Sequence, residues 1–187
     1  MKWKEALTKY INEKDKELHK REIGRYYCSE IWQMEKGYLT PNNYFKEKIV
    51  DIYGGENILF GNALEKEWAE VFKFNKLDFE YEPKKELFIT DEIKLVVKPD
   101  FVFKSLVIEM KCPDKDMPNI IPEKWVYQLE SEFMAFERPV WLGILRKHPA
   151  LTLIPYKYNG KSMEKIKDIL VEFDKKLKEF HEKVNWK

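Results

Sequence analysis

Two carboxylates and a lysine stand close together in the middle of the chain, within Val97-Lys98-Pro99-Asp100 and Leu106-Val107-Ile108-Glu109-Met110-Lys111-Cys112. The second segment alternates strictly: Leu106, Ile108, Met110 and Cys112 fall on one side, Val107, Glu109 and Lys111 on the other. That is the period of a strand, and it makes Glu109 and Lys111 neighbours roughly 6.5–7 Å apart. A strand this apolar belongs inside a sheet, where a charge is tolerated when paired or bound to a cation. Lys98 precedes a proline and is biased to extended geometry, so Asp100, at the end of the neighbouring strand, can turn its carboxylate toward Glu109. Such a set suits metal-assisted hydrolysis of a phosphodiester: hard oxygens bind one or two Mg²⁺, the metal lowers the pKa of a bound water, and lysine orients that water. A cation beside the scissile phosphate also stabilises the charge that develops in the transition state. The Met110 carbonyl is a further candidate ligand on this reading. The same spacing fits a plain hairpin in which Glu109 and Lys111 form a solvated surface pair.

The elements that must hold these residues are legible on either side. Glu86–Thr90, Ile93–Val97, Phe101–Phe103 and Leu106–Cys112 are short and rich in β-branched or aromatic residues, so residues 78–112 are expected to form a meander. Before it, Leu64, Trp68, Val71 and Phe72 share one side of a helix expected to start just after Gly61, with Asn62 as its cap and Gly54–Gly55 as a chain break. After it, a helix is expected from about Glu123 to Phe136, with Pro122 at its start and Pro139 stopping it, then strands Val140–Leu145 and Leu151–Tyr156. Ser162 is expected to cap a long last helix with the stripe Met163, Ile166, Leu170, Phe173, Leu177, Phe180 and Val184. Toward the N-terminus, Trp3, Leu7, Tyr10, Ile11 and Leu18 mark one amphipathic helix, and Tyr44, Phe45, Ile49 and Ile52 a face of another. A shorter helix between them would be capped by Ser29 and ended by Gly37.

Composition removes several classes of function. At 187 residues the chain is one domain in size, 44% apolar and 36% charged, with a net charge of +1. Bulk charge does not announce a nucleic-acid binder, but a basic groove beside acidic metal ligands fits it. No apolar run approaches the roughly 18 residues of a membrane span. The N-terminus lacks a secretion signal and Cys28 and Cys112 are too few for a disulfide framework, so a reducing cytoplasm is expected. His19, His148 and His181 lack the spacing of a zinc site, and Gly54–Gly55 lacks the Gly-Lys-Ser/Thr of a phosphate loop.

Pro99-Asp100 followed by Glu109-Met110-Lys111 resembles the signature of the PD-(D/E)XK nuclease superfamily. Helix, three-stranded meander, helix and strand, the order read for residues 61–156, is also that superfamily's core. The resemblance implies an α/β (α+β) fold with a restriction-endonuclease-like core, a central mixed sheet flanked by helices and an N-terminal helical arm. It implies a single nuclease domain over 1–187, with 1–58 as the arm, 59–160 as the catalytic core and 161–187 as the C-terminal helix.

Within the superfamily the sequence is most similar to RecB-type exonucleases, including the CRISPR-associated branch that carries an iron–sulfur cluster. Gly61-Asn62-Ala63-Leu64-Glu65 resembles that family's Gly-x-x-x-His motif, with Glu65 in place of histidine and hence a metal ligand. Its ordinary alternative is an exposed helix glutamate, and Glu67 is the reserve. Tyr127-Gln128-Leu129-Glu130-Ser131-Glu132-Phe133 resembles the Gln-x-x-x-Tyr motif, but Glu132 occupies the tyrosine's place. Gln128 then bonds phosphate, water or Lys111, or else faces solvent. Tyr26-Tyr27-Cys28-Ser29-Glu30-Ile31-Trp32 resembles the arm that carries the first cluster cysteine, yet no cysteine follows Tyr156. A cluster on four cysteines is therefore not expected, and Cys28 reads as a small buried hydrophobe.

The resemblance thus implies a metal-dependent deoxyribonuclease, exonuclease in preference to endonuclease, with Asp100, Glu109, Lys111 and Gln128 as catalytic residues. Glu65, Asp100, Glu109 and the Met110 carbonyl would hold Mg²⁺ or Mn²⁺, and DNA, as single strands or duplex ends, would be the partner. A structure-specific endonuclease, a nucleic-acid-binding or assembly protein on the same fold, and a homo-oligomer stay open. Tyr26, Tyr27, Trp32, Tyr38 and Tyr44 either stack bases or fill a core.

Overall fold

The structure is a computed structural model that describes residues 21–45, 52–113, 120–145, 151–158, 160 and 162–185, with 52–59 and 185 as backbone. The expected first helix, Ile49 and most of the loop after Cys112 lie outside the described residues. In order, the elements are β1 (Arg25–Tyr27), a 3₁₀ turn (Cys28–Glu30), α1 (Ile31–Glu35), α2 (Pro41–Tyr44) and α3 (Ile52–Phe74). Five strands follow: β2 (Phe79–Tyr81), β3 (Lys85–Phe88), β4 (Lys94–Val97), β5 (Phe101–Phe103) and β6 (Val107–Lys111). Then come α4 (Glu123–Phe136), β7 (Val140–Leu145), β8 (Leu151–Pro155) and α5 (Ser162–Asn185). This is a mixed α/β fold, its sheets mixed in direction and flanked by helices.

The expected meander is divided between two sheets. Strands β3 and β4 pair antiparallel and join β1, which runs parallel to β4, in the order β1-β4-β3. The second sheet has the order β2-β5-β6-β7-β8, with β6 and β7 parallel and the other pairs antiparallel. The break falls at Pro99-Asp100, between β4 and β5, where proline removes a backbone donor. A parallel neighbour needs a crossover, and α4 connects β6 to β7.

Three local expectations are corrected. Residues 25–27 of the arm form a strand, because Tyr26 and Tyr27 bury against β4 in register with Leu95 and Val96. Ser29 lies in the 3₁₀ turn, and α1 has Glu30 at its N-cap with no side-chain cap, although Gly37 does follow it at φ 73°. Finally, α3 does not begin after Gly61 but runs through Gly54–Gly55 and Gly61. A glycine costs a helix roughly 1 kcal/mol, which tertiary packing overrides. Asn62 is accordingly an exposed mid-helix residue.

Two apolar clusters sandwich the five-stranded sheet. Ala69 and Phe72 of α3 pack on Phe101, Ile108 and Met110, and Phe72 meets Phe101 and Phe103 edge-on at 5.1 and 5.2 Å. The opposite face, with Val107, Leu142 and Ile144, packs with Tyr127 and Leu129 of α4 and Ile166, Leu170, Phe173 and Leu177 of α5. The α5 stripe fades beyond Leu177, since Phe180 is half-buried and Val184 exposed. Tyr26, Tyr27 and Tyr44 are core, whereas Trp32 is half-buried and Tyr38 exposed.

Candidate active site

The β5–β6 ladder stops short. Phe101 pairs with Ile108 and Val102 with Val107, but no ladder partner faces β6 beyond Ile108 on that side. Asp100 takes over there: its Oδ2 accepts the Met110 N–H at 2.6 Å. In an extended strand the N–H and C=O of one residue point to the same edge, so the Met110 carbonyl is directed to this opening as well. The signature aspartate is thus held by the backbone it opens, one residue along from Glu109.

Glu109 is 3% exposed and Lys111 half-buried, and Lys111 Nζ donates to Glu109 Oε1. The reading of the two as a solvated surface pair is therefore set aside. Burial alone would lower the lysine's pKa, but the charges of Glu109 and Asp100 outweigh it and raise the value, so Lys111 is an ammonium at neutral pH. It serves as a cation and not as a proton acceptor. Asp100 moves the other way: burial, then Glu109 and Glu65, push its carboxyl well above the usual range against the pull of Lys111 and the Met110 N–H.

Glu65 comes from the other side of the sheet. A Cβ on Gly61 would lie 3.3 Å from the Cys112 Cβ, so this position lets α3 lie close against the end of β6, and Glu65 follows about one turn later. Burial and the Glu109 charge raise the Glu65 carboxyl to about 7. Glu67 is exposed, so the helix carboxylate of this cluster is Glu65.

On the α4 side, Gln128 is buried and Glu132, one turn on along the same helix face, is 0% exposed. Glu132 lies within hydrogen-bonding reach of Glu109. Two carboxylates have no donor between them, so both Glu132 oxygens and Glu109 Oε2 are buried acceptors without one. Burial and the Glu109 charge push the Glu132 carboxyl well up. Sequence reading noted Glu132 only as a misplaced tyrosine. The signal for more was there: α4 is buried without a gap from Tyr127 to Glu132, so its polar residues cannot all reach solvent.

Glu82 and Lys98 were also not anticipated. Glu82 has a left-handed φ of 50°, donates its N–H to the Asp100 carbonyl at 2.9 Å, and pairs with Lys98 at 2.7 Å. Its charge and that of Lys98 both act on Glu65. Cys28 is buried near the cluster, where burial and the charges of Glu132 and Glu109 raise its thiol well above the ordinary value and disfavour the reactive thiolate.

Among the described residues, no three His, Cys, Asp or Glu side chains close into an all-protein metal cage. The donor set does fit a hard, hydrated cation: Asp100, the Glu109 oxygen that lacks a donor, and the Met110 carbonyl are all oxygen, and Mg²⁺ commonly takes one or two carboxylates and keeps its waters. Mutual repulsion among Asp100, Glu65, Glu109 and Glu132 is what a dication would relieve.

No family model and no curated protein matches the sequence. Solved structures do match in fold. SSO0001 is 18% identical with a TM-score of 0.66 over 88% of this chain and 85% of that one. An alkaline exonuclease from Laribacter hongkongensis is 12% identical with a TM-score of 0.63 over 87% and 92%, and has also been solved in complex with dAMP. A phage-related exonuclease from Haemophilus somnus 129PT is 12% identical with a TM-score of 0.53 over 86% and 96%. The fold is thus that of exonuclease structures.

Proposed function

We propose that the chain is a divalent-cation-dependent deoxyribonuclease of PD-(D/E)XK type, an exonuclease of RecB-like character that hydrolyses phosphodiester bonds with a water nucleophile. The observation that carries the reading is the opened end of β6, where Asp100, Glu109 and Lys111 meet beside Glu65. Likeness in fold to two exonucleases, one of them also seen with dAMP, supports it.

In this mechanism Asp100, Glu109 and the Met110 carbonyl hold Mg²⁺ or Mn²⁺, with Glu65 engaging directly or through water. When bound, the cation lowers the pKa of a water and offsets the phosphate charge. Lys111 remains an ammonium, orients the attacking water and stabilises the charge that accumulates on the pentavalent phosphorus centre. Gln128, buried on the same helix face as Glu132, supplies amide hydrogen bonds to phosphate or water.

The test is incubation of end-labelled linear DNA, single-stranded and duplex, and of closed circles, with Mg²⁺ or Mn²⁺ and with EDTA. The reading expects loss of linear DNA from its ends with the cation, none with EDTA, and intact circles. Cut circles would make the chain an endonuclease. Tight DNA binding without cleavage under any cation would make it a binding protein on a nuclease fold.

A further inference from the structure

Resting on that nuclease reading, one difficulty has to be resolved within the site. Lys111 donates to Glu109, and Glu109 is a carboxylate the cation requires. Once Glu109 turns its charge to a cation, the half-buried ammonium loses its main counter-charge, and an unpaired charge in such a place is costly. Asp100 cannot replace it, because its Oδ2 is taken by the Met110 N–H and its charge is claimed by the same cation. Glu65 stands on the far side of the sheet, on the helix packed against Ile108 and Met110. Lys98 brings no anion, since Glu82 is paired to it.

One anion is free. Glu132 is wholly buried on α4, against the face of β6 that carries Glu109 and Lys111, and neither of its oxygens has a donor. Burying a carboxyl with nothing to accept from costs stability, so its retention there calls for a state in which it is used. We propose that Glu132 is the second counter-ion of Lys111: when Glu109 ligates the cation, Lys111 transfers its hydrogen bond from Glu109 to Glu132 and is thereby kept at the reaction centre. Glu132 is on this view a positioning residue, one that touches neither substrate nor cation. Its field already acts on Lys111, in the direction that favours the ammonium.

Two measurements on the full chain test this. The first is a crystal structure of the wild type with Ca²⁺, which occupies such sites without good water positioning. The expected result is Lys111 Nζ within about 3.2 Å of a Glu132 oxygen and no longer on Glu109. Ca²⁺ on Asp100 and Glu109 with Lys111 still on Glu109, or with Glu132 itself a ligand, overturns the proposal alone. No Ca²⁺ or Mn²⁺ binding by calorimetry overturns the nuclease reading together with it.

The second measurement uses Glu132→Gln, which keeps the shape and removes the charge. Single-turnover cleavage in Mn²⁺ should fall by roughly 10- to 100-fold while Ca²⁺ affinity stays within about threefold. The loss should vanish in a Lys111→Ala background, because the two residues act as one unit. A loss that persists in full in that background, an unchanged rate, or a Ca²⁺ affinity lowered by more than about tenfold overturns it.

Discussion

Asp100 joins backbone geometry to chemistry, because the same carboxylate that closes the Met110 N–H faces Glu109. Asp100→Asn should abolish cleavage and leave the fold, since the amide oxygen still accepts from Met110; circular dichroism and a cleavage assay check both halves. Lys111→Ala removes an interaction strongest in the transition state, so single-turnover cleavage should drop by about 100-fold or more with DNA affinity nearly unchanged. A binding protein would lose affinity instead, with a salt slope reduced by about one unit. Glu65 supplies a pH signature in the metal-free protein. Its carboxyl is raised to about 7, so between the ordinary 4.5 and that value the folded state holds a proton that the unfolded chain has lost. Stability in EDTA should therefore fall as pH climbs through this window, and Glu65→Gln should flatten the slope. Denaturant melts at pH 5 and 7.5 measure it.

Among the elements, α3 and α4 grip the end of β6 from opposite faces, and each does so through a specific contact. For α3 the contact is Gly61 against Cys112, backed by Phe72 among Phe79, Phe101 and Phe103. Gly61→Val has to push the helix off the strand, which should cost about 1–3 kcal/mol and move Glu65 away from the cluster. The Tm should fall, and cleavage should suffer more than DNA binding. The strand arrangement has a similar logic. Because Pro99 and Asp100 end the first sheet and begin the second, β6 is left with an open edge at the place where carboxylates are needed.

For the whole molecule, α5 ties the arm to the core. Ile166, Leu170, Phe173 and Leu177 are buried to 5% exposure or less, and Tyr26 of β1 donates to Asp174 at 2.6 Å. Leu170→Ala should cost about 2–5 kcal/mol, a large share of a domain's net stability, whereas Val184→Ala should stay within about 0.5 kcal/mol. Urea unfolding of the two variants checks the contrast. A dication bound only by the folded chain should also raise the Tm of the wild type and leave that of Asp100→Asn nearly unchanged.

What the sequence determined by itself is periodic or covalent. The alternation of Leu106–Cys112 set which side of β6 bears Glu109 and Lys111, Pro122 opened α4, and β7 lies where its run of apolar residues stands. These depend on neighbours along the chain, so local pattern reports them. Tertiary structure decided the rest. It carried α3 through three glycines, drew Arg25–Tyr27 into a sheet, and split the expected meander in two, since packing against distant residues outweighs propensities of about 1 kcal/mol. It also chose Glu65 over Glu67 and buried Glu132 against Glu109. Which carboxylate meets which is a matter of how two helices sit across one strand, and no spacing along the chain encodes that distance.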